Sequence, residues 1–291
     1  MFLELLRIAI LLAIALIYAL FDLLNKREVP DVFVYASFLV GLALAFTYPA
    51  NTLIIDLLIA VIIASFGYVI YRAGYWGAGD LFEITTISLI LPIQPKPWLV
   101  SLNQLGLPFV ISFFISSGIA AIWIVPIYYL AFKKKQVRKT GNERIYRTLG
   151  IILLALYLVL LLFIYFVFGI SIISFAIVAA IGIPSAVVLA YEEEITGKMI
   201  DYVHPSKIQQ GDIIAINMMS REELAYFRRI YPNFSRLATK GMVENFKRLK
   251  TRKRLPVYAH AVPFAVFVLI GVVISLLFGN IVLFLLQPLP K

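Results

Sequence analysis

Apolar stretches long enough to cross a lipid bilayer recur along this chain, and no other feature narrows its folding options so far. They run at about 3–21, 32–48, 52–72, 80–93, 107–132, 148–168, 170–190 and 258–286. A helix needs ~20 apolar residues to traverse a ~30 Å hydrocarbon layer, and only the fourth stretch falls well short. Residues 148–190 are too many for one crossing, and "FGIS" at 168–171 supplies a turn, which predicts a tight helical hairpin. With 62% of the 291 residues hydrophobic and 14% charged, the chain has more apolar surface than a soluble core could bury. The expected fold class is an all-α membrane protein, a polytopic helical bundle of about eight spans.

The first stretch is expected to be retained: its apolar run is long, Glu4 interrupts the region where a signal peptide is basic, and no small-residue cleavage site comes after it. Basic residues set the orientation. With the N-terminus outside, inner loops carry Lys26, Arg27, Arg72, the bases between Lys133 and Arg147, and those between Lys198 and Arg254, leaving Arg7, Lys96 and Lys291 outside. The net charge of +10 is then mainly a topology signal with an attraction to anionic membrane lipid, and it predicts no nucleic-acid partner.

The chain divides into three regions: transmembrane residues 1–190, a small polar insert of α+β type at 191–256 facing the cytoplasm, and a last span within 257–291. In the insert, "KMIDYV" and "GDIIAINMM" read as strands, while Ser220-Arg221-Glu222-Glu223 forms a capping box that opens a helix ending before Pro232. The run "KRLKTRKR" at 247–254 reads first as a positive-inside anchor and second as a docking surface for an acidic partner.

Cysteine is absent, which removes disulfides, thiol catalysis and thiolate-bound metal. His204 and His260 are not spaced as a ligand pair, so neither metal nor another cofactor is expected. There is no G-x-S-x-G. Carboxylates remain. Outside the insert, Glu4 lies at a chain end, Glu28, Asp31 and Glu143 sit in basic loops, and Asp56 falls in the first turn of the third stretch, where a helix N-terminus favours an anion. Asp22, Asp80 and Glu83 are left.

Asp22 closes the first span, where the helix dipole disfavours a carboxylate, so it reads as functional or as an interfacial charge that snorkels. Asp80 has the simpler reading of a helix N-cap. Parity nevertheless puts both on the cytoplasmic face, and paired carboxylates can supply an acid and a base from one residue type. Glu83, one turn after Asp80, either tunes it by like-charge repulsion or snorkels to the interface. Gly77 and Gly79, in "GAGD", leave room for a close-approaching extended peptide and allow backbone angles closed to bulkier residues.

In "FDLLNKREVPD", in "GAGD" ending 58 residues after Asp22, and in "LPVYAHAVPFAVFVLIG", the chain resembles the membrane aspartyl peptidases with a G-x-G-D motif, and among them the archaeal preflagellin and prepilin peptidases. The resemblance implies Asp22 and Asp80 as the catalytic pair. It also implies a substrate: precursor proteins with a class III-type signal peptide, a short basic leader before a hydrophobic helix, cut at the cytoplasmic face. The chain departs from the bacterial branch in lacking a cysteine-rich metal loop, which argues against N-methylation of the product. From the presenilin-like branch it departs in having Phe21 before the first Asp and no Pro-Ala-Leu. The 148–190 hairpin adds to the six-span plan usual for the archaeal enzymes and, because it adds two crossings, keeps the sidedness of every later segment. Another G-x-G-D protease, similar to signal peptide peptidase, and a polytopic transporter remain as alternatives, with an assembly scaffold behind them.

Overall fold

The computed structural model describes residues 2–25, 29–99, 107–132, 143–168, 172–249, 251–259 and 262–281. The bases at Lys26, Arg27 and 133–142, together with Glu28, His260 and the turn residues 169–171, lie outside the described residues. The protein is mostly helical. Among the described residues, four helices are long and apolar enough to cross a membrane: α1 (Phe2–Leu24), α3 (Ala50–Arg72), the stretch Phe109–Ala131 that begins with α5 (Phe109–Ile127), and most of α6 (Glu143–Phe168). Shorter apolar helices are α2 (Asp31–Ala45), the second half of α7 (Ile172–Ala190) and α11 (Phe264–Phe278).

Prolines define where these helices begin. Pro30, Pro49, Pro108 and Pro263 stand immediately before α2, α3, α5 and α11. At a helix start a missing N–H leaves nothing unsatisfied, and the ring fixes φ near its helical value. Gly279 ends α11 with φ 74°, and its N–H donates to the Ser275 carbonyl at 2.9 Å.

The short helix α4 (Ala78–Ile90) occupies the centre of the bundle. At 1.5 Å per residue it spans ~20 Å, less than a hydrocarbon layer. Every residue from Glu83 to Ile90 is buried, whereas α1 and α2 bury only one stripe each, at Leu11, Ala15, Tyr18 and Asp22 and at Val34, Ser37, Gly41 and Ala45. Ile84, Ile87 and Ile90 pack with Leu11 and Ile14 of α1, Phe109 and Phe113 of α5, and Val268 and Val272 of α11. Glycines permit the closest approaches: Gly41 faces Thr86 and Leu89, and Gly271 of α11 lies against the Phe113 and Ser117 backbone of α5. Helices α6 and α7 run antiparallel, with Gly150 against Ala186 and Ala190, and Gly182 against Tyr157.

At the end of the bundle away from Asp22, Arg7 is buried. Its guanidinium donates to the Leu44 carbonyl at 3.2 Å and to the Thr47 hydroxyl, and it stacks on the Tyr48 ring, whose hydroxyl donates to the Ile90 carbonyl at 3.1 Å. Asp56 belongs here, and the expectation for it needs correction. Because α3 begins at Ala50, Asp56 sits in the second turn; it is 0% exposed, and neither oxygen has a hydrogen-bond partner among the described residues. It lies within Coulombic reach of Arg7 rather than at a solvated helix start.

Between α7 and α11 the chain builds a small α+β unit with a core of its own, including Ile214, Phe227, Phe234, Met242, Phe246 and Leu255. Helix α8 (Glu192–Met199) leads into β1 (Ile200–Val203), which pairs antiparallel with β2 (Leu255–Tyr258), Ile200 opposite Tyr258 and Val203 opposite Leu255. Lys198 on α8 donates to the Tyr129 carbonyl at 2.7 Å, which ties the unit to the segment after α5. Helix α9 (Arg221–Ile230) has the expected capping box: the Glu223 N–H donates to Ser220 Oγ at 3.1 Å, and the Ser220 N–H to Glu223 Oε2 at 2.9 Å. Helix α10 (Lys240–Lys247) is capped by Thr239.

Two local readings are corrected. "GDIIAINMM" forms no regular strand, because Ile213 pairs with Leu237 while Ile214 pairs with Val257, after which residues 216–218 tighten into a 3-10 turn. The last apolar stretch begins its helix at Phe264 rather than near 258, since residues 255–258 are taken by β2. A four-residue strand containing Pro256 leaves little trace in sequence.

A candidate carboxylate site at one end of the bundle

Asp22 lies in the last turn of α1 on its inward stripe and is 8% exposed. Its Oδ2 accepts the N–H of Ala265 at 3.0 Å, in the first turn of α11. Pro263, before that turn, has no side-chain acceptor to offer, so Asp22 supplies from another helix the capping oxygen that α11 lacks. The expectation from α1 alone is therefore incomplete. Asp22 stands at the negative end of one helix and at the positive end of another.

Asp80 is the third residue of α4, not its N-cap; Gly77 holds the cap position, and the Gly77 N–H donates to Asp80 Oδ2 at 2.8 Å. The glycines also need correction. Gly77 has φ −76° and ψ 160°, ordinary extended backbone, and Gly79 is helical; among the described glycines, positive φ belongs to Gly74, Gly211 and Gly279. What Gly79 provides is space. A Cβ there would meet nothing closer than Val29 Cγ2, at 3.7 Å. If a peptide must approach Asp80, Gly79→Val is expected to lose its turnover while folding with little change in thermal stability. Normal turnover by this variant would show that the space has no functional use.

Glu83 is 0% exposed, and neither of its oxygens has a hydrogen-bond partner among the described residues. The snorkelling alternative is thereby excluded, because the side chain points into the bundle. Asp22, Asp80 and Glu83 lie within Coulombic reach of one another. Tyr18, buried on α1 one turn before Asp22, shares a 3.0 Å hydrogen bond with Ser37 and is within reach of the charges of both Asp80 and Glu83. On the other flank, the Trp76 ring stacks on Phe114 and tilts against Phe264, each at 5.8 Å between centroids. A buried carboxyl without a hydrogen-bond partner among the described residues is costly, which makes Glu83 a candidate member of this cluster.

Two carboxyls from different helices, each accepting a backbone N–H and each within the other's field, can divide into a proton donor and a proton acceptor. Among the described residues no group of three His, Asp or Glu side chains is disposed to hold a metal ion. His204 sits in the α+β unit, with Nδ1 hydrogen-bonded to the Ser206 hydroxyl at 2.7 Å and Nε2 to the Thr251 carbonyl at 2.8 Å. It borders a basic groove that also includes Lys247 and Arg252 and shares no residue with the carboxylate cluster. Sequence reasoning missed the Ala265 amide and the placement of Tyr18 beside the acids. The first had a signal in Pro263, which opens a helix without capping it; the second had only the inward stripe of α1. Comparison with protein-family models, with curated proteins and with solved structures finds no match to this chain.

Proposed function

We propose that this chain is a polytopic membrane aspartyl endopeptidase that uses Asp22 and Asp80 to cut the basic leader from precursors carrying class III-type signal peptides. The observation that carries the reading is the convergence of these two acids. Residues 58 positions apart in sequence stand at one end of the bundle, each anchored by a backbone N–H at the start of a helix. In this reading there are about eight crossings, the short α4 contributing a partial one. The N-terminus is outside, the α+β unit lies in the cytoplasm, and the protein resides in the cell membrane. One aspartate, ionised, takes a proton from the attacking water while the other, protonated, gives its proton to the scissile carbonyl oxygen; as the C–N bond breaks, the first aspartate passes the water's proton to the leaving amine and the second recovers its own from the diol hydroxyl. Gly79 leaves room for the extended substrate, and no cofactor takes part.

Glu83 supports the pair without carrying a proton of the reaction. Glu83→Gln is expected to keep measurable cleavage, reduced by about tenfold or less, well inside the 10²–10⁴ range of a lost acid or base. Activity as low as that of an Asp80 variant would reassign the acid pair to include Glu83.

The deciding experiment incubates the purified protein in lipid with a precursor bearing a class III leader and identifies the cleavage position by mass spectrometry, with solute flux measured in the same vesicles. Cleavage between leader and hydrophobic helix supports the peptidase. The second reading, an ion-coupled transporter, draws on Glu83 and Asp56, two buried carboxyls without hydrogen-bond partners among the described residues. Flux that depends on these acids, with no cleavage, would establish it instead.

A further inference from the structure

The α+β unit touches the bundle at the loop that leads into Asp80. Gly74 is buried there with φ 74°, and a Cβ on it would lie 3.2 Å from Arg236 Cγ and 3.4 Å from the Leu237 backbone nitrogen. The left-handed backbone angle favours glycine at this position, and the close approach leaves little room for a Cβ. The next residue, Tyr75, carries the Arg236 guanidinium over its ring at 4.2 Å, and the same guanidinium is 5.5 Å from the ring of Tyr258 at the end of β2. Arg236 is itself held from behind: its carbonyl accepts the Ile214 N–H at 2.7 Å, and Leu237 pairs with Ile213. Burial raises the Tyr258 phenol above its ordinary value while the Arg236 charge draws it back.

From this junction one path leads to each aspartate. Beyond Tyr75, Trp76 packs on Phe114 and Phe264, and the Gly77 N–H holds Asp80. Beyond Tyr258, the chain enters α11, where the Ala265 N–H holds Asp22 and Phe264 meets Trp76. Arg236 therefore bridges the loop before Asp80 and the end of β2, from which the chain continues to the helix that anchors Asp22.

We propose that the α+β unit is a positioning frame for the aspartate pair, and that Arg236, seated on Tyr75 against Gly74, is the positioning residue that sets Asp80 relative to Asp22. This rests on the peptidase reading for its consequence in rate and on the loop geometry for its consequence in structure. Tyr75 is 65% exposed, and a cation over a ring at such a site is too weak to hold the fold together. Its effect is on placement, and a displacement of ~1 Å at reacting groups costs on the order of 10²-fold in rate.

The test uses the full-length protein in lipid with three variants, Arg236→Ala, Arg236→Lys and Gly74→Ala, and two readouts. The first is kcat and KM on the leader-bearing precursor. The second is hydrogen exchange of the 73–80 backbone amides, which reports the Gly77 N–H bond to Asp80 whether or not the protein cleaves anything. Arg236→Ala and Gly74→Ala are expected to lower kcat by about 10- to 100-fold with KM within about threefold, and to speed exchange across 73–80. Arg236→Lys, which keeps a cation over the ring, is expected to restore kcat to within about threefold and exchange to the wild-type rate. A raised KM with unchanged kcat would make Arg236 a substrate contact and overturn the proposal, as would wild-type exchange in Arg236→Ala. If the wild type cleaves no precursor while Arg236→Ala still loosens 73–80, the peptidase reading fails and the positioning role stands.

Discussion

Asp22→Asn and Asp80→Asn are each expected to abolish precursor cleavage, with a loss of at least 10²–10⁴-fold, the range spanned by one general acid or base. The amide is the informative replacement here. Its oxygen can still accept the Ala265 N–H in place of Asp22, or the Gly77 N–H in place of Asp80, so the caps of α11 and α4 survive while the proton-transferring group is lost. Each variant should therefore elute and melt as the wild type does and fail only in the cleavage assay. The double variant should be no worse than either single one, because residues that act as a unit do not lose activity additively. Turnover above a tenth of wild type in either single variant would end the aspartyl mechanism.

The largest expected effect on stability is at Gly271, where α11 meets α5. A Cβ there would sit 2.5 Å from the Phe113 carbonyl oxygen and 2.7 Å from the Ser117 backbone nitrogen. Backbone cannot rotate away as a side chain can, so Gly271→Ala must push the helices apart. Overpacking of this kind costs about 1–3 kcal/mol and occasionally more, and the backbone contact places this site at about 3 kcal/mol. At roughly 2–4 °C per kcal/mol for a large chain, the thermal midpoint should fall by about 6–12 °C. Since α11 also presents the Ala265 N–H to Asp22, cleavage should fall with it. Gly118→Ala on α5 is the matched control: nothing lies within 4 Å of a Cβ there, and the melting curve should not move. Equal melting of the two variants would mean that the α5–α11 approach is looser than 2.5 Å implies.

The membrane class, the long apolar helices, the capping box at Ser220 and Glu223 and the candidate acids are all legible in the sequence. Each depends on local composition or on spacing within a few residues, and local patterns survive without knowledge of the neighbours. The prolines before α2, α3, α5 and α11 belong to the same category, because the ring acts on its own backbone. Long-range pairing left at most an open end, such as the uncapped helix after Pro263, and nothing that names the partner. That Asp22 caps a helix 243 residues away, that Glu83 is enclosed rather than interfacial, and that Asp56 is buried within reach of the Arg7 charge are consequences of which helices pack together. The glycine question shows the division most sharply. The sequence alone determined that small residues precede Asp80, but only the tertiary structure decided that Gly77 and Gly79 have ordinary backbone while Gly74 carries the left-handed angle. The physical reason is that Gly74 is shaped by the approach of Arg236 and Leu237, contacts made across the fold by residues more than 160 positions away.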